Sequence, residues 1–227
     1  MISENLKKIE ERIEEICAGC GRKSSEIKLI AVSKTQPAEI INEAIGAGLR
    51  DLGENKAQEL RDKSELIKGE FSWHFIGHLQ TNKVKYVIRA AEYIHAVDSI
   101  KLAEEINRKA EQIGKEQNIL LEIKTSDEES KFGLEKEDEI FRILEYCKGS
   151  SNLKAVGLMT MAPFTDDFRI VRDCFVKVRE LKERINRGGY DLKHLSMGMT
   201  NDYDLAIEEG ATMLRIGTAI FGEKIYQ

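Results

Sequence analysis

Leu29-Ile30-Ala31-Val32-Ser33-Lys34-Thr35-Gln36-Pro37-Ala38-Glu39-Ile40-Ile41-Asn42-Glu43-Ala44-Ile45 holds two textures in succession. A short apolar run gives way to a polar turn with proline, and then to apolar residues such as Ile40, Ala44 and Ile45 at helical spacing. That is one strand followed by one helix, and the alternation repeats to the end of the chain. Strands are predicted at 29–33, 51–53, 73–77, 93–97, 119–124, 155–159, 194–197 and 213–217. Between them run stripes such as Val84, Val87 and Ile88, then Ala103, Ile106, Ala110 and Ile113. A helix is expected after Phe132-Gly133, and the longest carries Phe168, Phe175, Val178, Leu181 and Ile185. Thr200 or Asn201 is the expected cap of the helix after the seventh strand. Ahead of the first strand, Ile2, Leu6, Ile9, Ile13 and Ile16 form one more stripe, closed by Gly19 and Gly21.

Eight βα units fit a closed (β/α)8 TIM barrel: one domain over residues 1–227, with an N-terminal helix at 1–21 packed on it. An open doubly wound sheet is the alternative. Its phosphate fingerprints, G-x-G-x-x-G and G-x-x-x-x-G-K-[ST], do not occur in the chain. The 227 residues are 41% hydrophobic and 33% charged, enough of each to close a core and keep a solvated surface, so disorder is excluded. A net charge of −5 argues against a footprint for nucleic acid or anionic membrane. No apolar run approaches the ~18 residues of a membrane span, and Met1-Ile2-Ser3-Glu4 opens into a charged helix pattern, so a cytoplasmic protein is expected. Cys17, Cys20, Cys147 and Cys174 are expected to be reduced; Cys17-Ala18-Gly19-Cys20 has no second ligand pair, and no metal site is predicted.

In such a barrel chemistry gathers where strands end. Lys34 ends the first strand with the parity of Ile30 and Val32, the inner face. Burial there would disfavour its charged form and free the lone pair for attack on a carbonyl, whereas a lysine snorkelling at the rim would do neither. Asn55 offers an amide at the end of the second strand, or a helix cap. His74 and His78 are spaced i,i+4 but on a strand-like segment, so hydrogen bonding is favoured over metal binding. Ser196-Met197-Gly198-Met199-Thr200 and Arg215-Ile216-Gly217-Thr218-Ala219 follow the seventh and eighth strands, where barrels commonly hold phosphate with hydroxyls and backbone N–H groups. Arg215 has inward parity. An amine, a phosphate cradle and an inward arginine together suit pyridoxal 5′-phosphate (PLP). Arg215 donating to the pyridine nitrogen would leave the ring a weak electron sink.

The chain resembles the pyridoxal-phosphate homeostasis proteins, relatives of the barrel domain of alanine racemase. The resemblance rests on Ala31-Val32-Ser33-Lys34-Thr35, Gly53-Glu54-Asn55-Lys56-Ala57-Gln58-Glu59, His74 through Lys83, Lys131-Phe132-Gly133, Gly157 through Ala162, Leu195-Ser196-Met197-Gly198-Met199 and Arg215 through Gly222. It implies that Lys34 carries PLP as a Schiff base and that Asn55 lies near the ring. It also implies that Ser196, Gly198, Gly217 and Thr218 hold the phosphate and that Arg215 faces the pyridine nitrogen. Thr200-Asn201-Asp202 and Asp51-Leu52 depart from the family pattern in ways that touch capping and packing.

The expected function is storage, delivery or buffering of PLP with little or no turnover, no residue being assigned a catalytic role. A racemase needs acid–base groups on both faces of the substrate carbon, and in alanine racemases a further domain and a partner subunit bring the second. The chain ends soon after its eighth strand. The alternatives are a weak amino-acid racemase completed by a tyrosine or a partner, and a Schiff-base aldolase acting through Lys34. Apo PLP-dependent enzymes are the expected recipients, a monomer the expected state, and Lys131 a candidate relay lysine for transfer.

Overall fold

The computed structural model describes residues 1–125 and 132–222. Eight strands run in chain order: β1 (Lys28–Val32), β2 (Asp51–Glu54), β3 (Ser72–Phe75), β4 (Ala91–Val97), β5 (Gln117–Glu122), β6 (Leu153–Met159), β7 (His194–Ser196) and β8 (Met213–Ile216). Each pairs in parallel with the next, and β8 returns to β1 with Lys28 opposite Met213 and Ile30 opposite Arg215, so the sheet closes into the expected barrel. Every expected strand is present, with ends displaced by at most two residues.

Helices α1 (Ile2–Gly19), α2 (Ala38–Gly46), α3 (Ala57–Leu66), α4 (Val84–Val87), α5 (Ile100–Glu111), α6 (Glu137–Lys148), α7 (Phe168–Arg187), α8 (Tyr203–Glu208) and α9 (Thr218–Phe221) surround the barrel. The expected stripe of α1 is buried throughout, each aliphatic side chain contributing roughly 1.5–3 kcal/mol. The helix lies on α8 and α9, and Asn5 Nδ2 donates to the Ile220 carbonyl at 3.0 Å. Three details differ from expectation. The buried face of α2 is Ile41 and Ala44, with Ile40 and Ile45 only half-buried; Ile113 and Phe168, at helix ends, are exposed. Neither Thr200 nor Asn201 caps α8: Asp202 occupies that place, and its Oδ1 accepts from the Met199 N–H at 2.5 Å, bracing the β7–α8 turn.

Strand pleating sorts side chains between two cores. Ala31, Leu52, Phe75 and Leu158 face the helices in the large outer core, while Ile30, Ala96, Leu120, Val156, Met159 and Met213 make a small inner cluster. The inner cluster does not fill the barrel; His74, His95, Ser196 and Arg215, all buried, share the interior with it.

Candidate functional site at the barrel mouth

A cavity of about 630 Å³ opens at the C-terminal ends of β1, β6, β7 and β8, within the ~300–1,000 Å³ of small-molecule sites. Lys34 lines it from β1, Arg215, Gly217 and Thr218 from β8 and the turn after it, and Met199 through Asp202 from the turn after β7. Pro163 and Phe164, from the β6–α7 connection, form an apolar wall. Four predicted site residues therefore share one cavity.

The other three do not line it. Ser196 is fully buried, and its hydroxyl accepts from Arg215 Nη1 at 2.6 Å and lies 2.8 Å from His95 Nδ1. Gly198, at φ 94°, shapes the turn: a Cβ there would stand 2.7 Å from the Ala206 Cβ, so only glycine lets α8 approach β7 this closely. Asn55 does not cap α3, where Lys56 holds that position; its Oδ1 is buried without a partner. Lys34 itself is exposed, so the desolvation suggested by its inward parity is not present. Parity sets the face of a strand residue but not its depth, and Lys34 lies two residues past the last pairing of β1, at the rim. Lys131 lies outside the described residues.

Arg215 is 4% exposed and held on two sides, with Nη2 donating to the Thr160 carbonyl at 2.8 Å. Burial lowers its guanidinium to about 10, against the opposing pull of Asp202 and Glu122, so it is charged at neutral pH. From it a hydrogen-bond chain crosses the barrel: Ser196 Oγ to His95 Nδ1 at 2.8 Å, His95 Nε2 to His74 Nδ1 at 3.0 Å, His74 Nε2 to Asp51 Oδ1 at 2.8 Å. Burial pushes His95 well below its ordinary value and lowers His74, the latter opposed by Asp51, so both rings are neutral at neutral pH. That fixes the polarity. Carboxylate can only accept, so His74 donates from Nε2 and accepts at Nδ1; His95 then donates from Nε2, and Ser196, which accepts from Arg215, donates to His95 Nδ1.

The histidine pair was only half legible. His74 was expected to hydrogen-bond; His95 was overlooked, although a histidine within the apolar run Tyr93-Ile94-His95-Ala96-Val97 is itself a signal of a buried polar contact. A register irregularity between Ile94 and Val97 accompanies the presence of both His95 and Ala96 in the interior, which alternation forbids in a regular strand. Near the mouth, Glu122 is also buried. Burial, then Asp98, raises its carboxyl to about 7, with Arg215 opposing, and its Oε2 has no partner. His78 lies outside this chain, stacked on Phe132 and 3.4 Å from Asp98. Among the described residues there is no group of three or more His, Cys, Asp or Glu side chains placed to hold a metal, and no helix long and apolar enough to cross a membrane.

A parallel eight-stranded barrel with a lysine at the end of β1, a buried arginine on β8 and hydroxyl-bearing turns after β7 and β8 defines a class of mouth-binding barrels for small phosphorylated ligands. The alanine racemase N-terminal domain model matches residues 5–224. Two pyridoxal phosphate homeostasis proteins are close relatives. That of Aquifex aeolicus is 43% identical over 225 residues, with 98% of each chain covered; that of Pseudomonas aeruginosa is 39% identical over 226 residues, with 99% of this chain and 96% of the other covered. The chain belongs to the pyridoxal phosphate homeostasis protein family. Among solved structures, PipY of Synechococcus elongatus with PLP bound superposes at a TM-score of 0.86 and 31% identity, covering 98% of this chain and 100% of that one. The alanine racemase of Clostridium difficile superposes at 0.76 with 15% identity, covering 99% of this chain and 58% of that one, a likeness of fold alone.

Proposed function

We propose that the chain binds PLP at the barrel mouth through Lys34 and serves PLP homeostasis, by storage, delivery or buffering, with little or no turnover. The observation that carries this reading is the convergence of Lys34, Arg215, Gly217 and Thr218 on one cavity. The relatives' names and PLP-bound PipY support it. The donor set fits the ligand: a primary amine, a fixed cation, two threonine hydroxyls and the first N–H groups of α9, which have no partner within that helix. When bound, the group supplies an aldehyde that condenses with a primary amine with loss of water.

Lys34 offers that amine from the solvent side. Arg215, preset by Ser196 and the Thr160 carbonyl, would meet the pyridine nitrogen as a donor and keep it unprotonated. Thr200, Gly217 and Thr218 would hold the phosphate, Gly217 because a backbone without a Cβ packs against Val32 while facing the cavity. Ser196, Gly198 and Asn55 would act from behind, Ser196 by aiming Arg215, Gly198 by shaping the turn and Asn55 through its unpartnered Oδ1. We further propose one binding domain, a monomer, a cytoplasmic location and apo PLP-dependent enzymes as recipients.

The test is the absorbance of the protein as isolated and after addition of PLP, with borohydride reduction and mapping of the modified lysine. A visible band bleached by borohydride, with the label on Lys34 and none in Lys34→Ala, is expected; no band with added PLP would overturn the reading. Exchange of the α-hydrogen of alanine with solvent deuterium at enzyme-like rates would instead favour a racemase.

A further inference from the structure

We propose that Lys63 and Glu59 of α3 form a clasp that fixes the two peptide groups flanking Lys34 and thereby positions its amine. The inference rests on the proposed role of Lys34. Lys63 is 8% exposed and spends its three N–H bonds on the Ser33 carbonyl, Glu54 Oε1 and Glu59 Oε1, each at 2.7 Å. The Ser33 hydroxyl donates to the same Glu54 oxygen at 2.6 Å, and both residues are fully buried. Glu59 Oε1 also accepts the Thr35 N–H at 2.5 Å.

The Ser33 carbonyl belongs to the peptide before Lys34, and the Thr35 N–H to the peptide after it. Holding both fixes φ and ψ of Lys34, although the residue is exposed and no side-chain packing would do so. Thr35 shows what the clasp works against: its φ is 63°, and it is the one described non-glycine residue with positive φ, a poor conformation for a β-branched side chain. Hydrogen bonds from Lys63 and Thr35 hold the Glu59 carboxyl below its ordinary value against the effect of burial, so the acceptor is charged at neutral pH. An ordinary packing salt bridge would tie α3 to β2 through Glu54; only a positioning device also needs the Ser33 carbonyl and the Thr35 N–H.

Glu59→Ala tests this more safely than Lys63→Met, which would leave Glu54 buried without its cation and risks misfolding. Two readouts are needed: exchange of the Thr35 amide proton in the apo protein by NMR, and the apparent PLP affinity from the absorbance band. In Glu59→Ala the Thr35 amide should exchange faster and the affinity should fall about 5- to 30-fold, the equivalent of a left-handed residue left unsupported. Adding Thr35→Gly, which takes positive φ freely, should recover most of that loss. Affinity within about twofold of wild type in Glu59→Ala, or no recovery in the double variant, overturns the positioning role. If wild type labels no lysine with PLP while the Thr35 amide still responds, the proposed function fails and the clasp stands as a feature of the apo fold.

Discussion

His95→Gln should destabilise the protein at pH 7.5 and lose most of that effect at pH 5. Glutamine can keep a donor to His74 but does not titrate. At pH 7.5 the substitution disturbs one or two buried hydrogen bonds in the chain from Arg215 to Asp51, at a cost of roughly 1–3 kcal/mol. His95 is held neutral in the fold, well below its ordinary 6.5, and in the unfolded chain returns to that value. As pH falls through 6.5 the unfolded state takes up a proton that the native state refuses. The stability His95 contributes is therefore full above 6.5 and drains away in acid.

At pH 5 that difference amounts to at most about 2 kcal/mol in the wild type, while the glutamine variant has no such proton to gain. His74 keeps its bond to Asp51 in both proteins, so its own acid response should largely cancel in the comparison. Urea unfolding at pH 7.5, 6.5, 5.5 and 5.0 should show the gap between the two proteins closing as the pH falls, by up to about 2 kcal/mol. A gap constant within about 0.5 kcal/mol over that range would mean that His95 titrates natively with an ordinary value. The neutral, one-way relay would then be wrong.

Ser196→Ala should cost roughly 2–4 kcal/mol, because Arg215 Nη1 and His95 Nδ1 both lose their partner, and should also weaken PLP binding; urea unfolding and a PLP titration check the two effects. Glu122→Gln should stabilise the protein by up to roughly 3 kcal/mol at pH 8 and make little difference below pH 5. The sign follows from a carboxyl raised to about 7 in the fold, whose cost is present above that pH and relieved as it takes up its proton; equal stability of the two proteins at pH 8 would refute it. Gly198→Ala should lower stability by more than about 2 kcal/mol, from positive φ and the Ala206 contact, which thermal unfolding would report as a lower Tm.

Strand order was legible because hydrophobic period and turn punctuation are local properties; the short β2, weak by strand propensity, was legible only from its place in the alternation, after the α2 stripe and ahead of Asn55. Arg215 was placed correctly on the inner face because β8 is regular where it pairs with β1. Features that needed more than one element were not legible. The choice of Ile41 over Ile40 on α2 depends on how the helix rolls against the sheet, and the entry of Ala96 beside His95 into the interior depends on an irregularity in β4 that no spacing rule encodes. Glu59 stood out only as the last residue of a family-matching segment and Lys63 not at all; their role exists only because α3 docks beside the Ser33–Thr35 turn.

The two cationic groups of the mouth are held in opposite ways, and the contrast bears on what the site can do. Arg215 is buried, charged and fastened at both terminal nitrogens, so moving it would leave Ser196 Oγ without one of its donors and the Thr160 carbonyl short of a partner in a dry interior. Lys34 is exposed, with its backbone clasped and its side chain facing the cavity without a hydrogen bond or ion pair to any described residue. A ligand held non-covalently by rigid groups and covalently by an exposed amine stays aligned while its covalent bond remains within reach of water or of a second amine. Enzymes that hold reactive intermediates on a lysine gain by closing that access. Leaving it open suits a protein whose task is to take up the aldehyde and give it back.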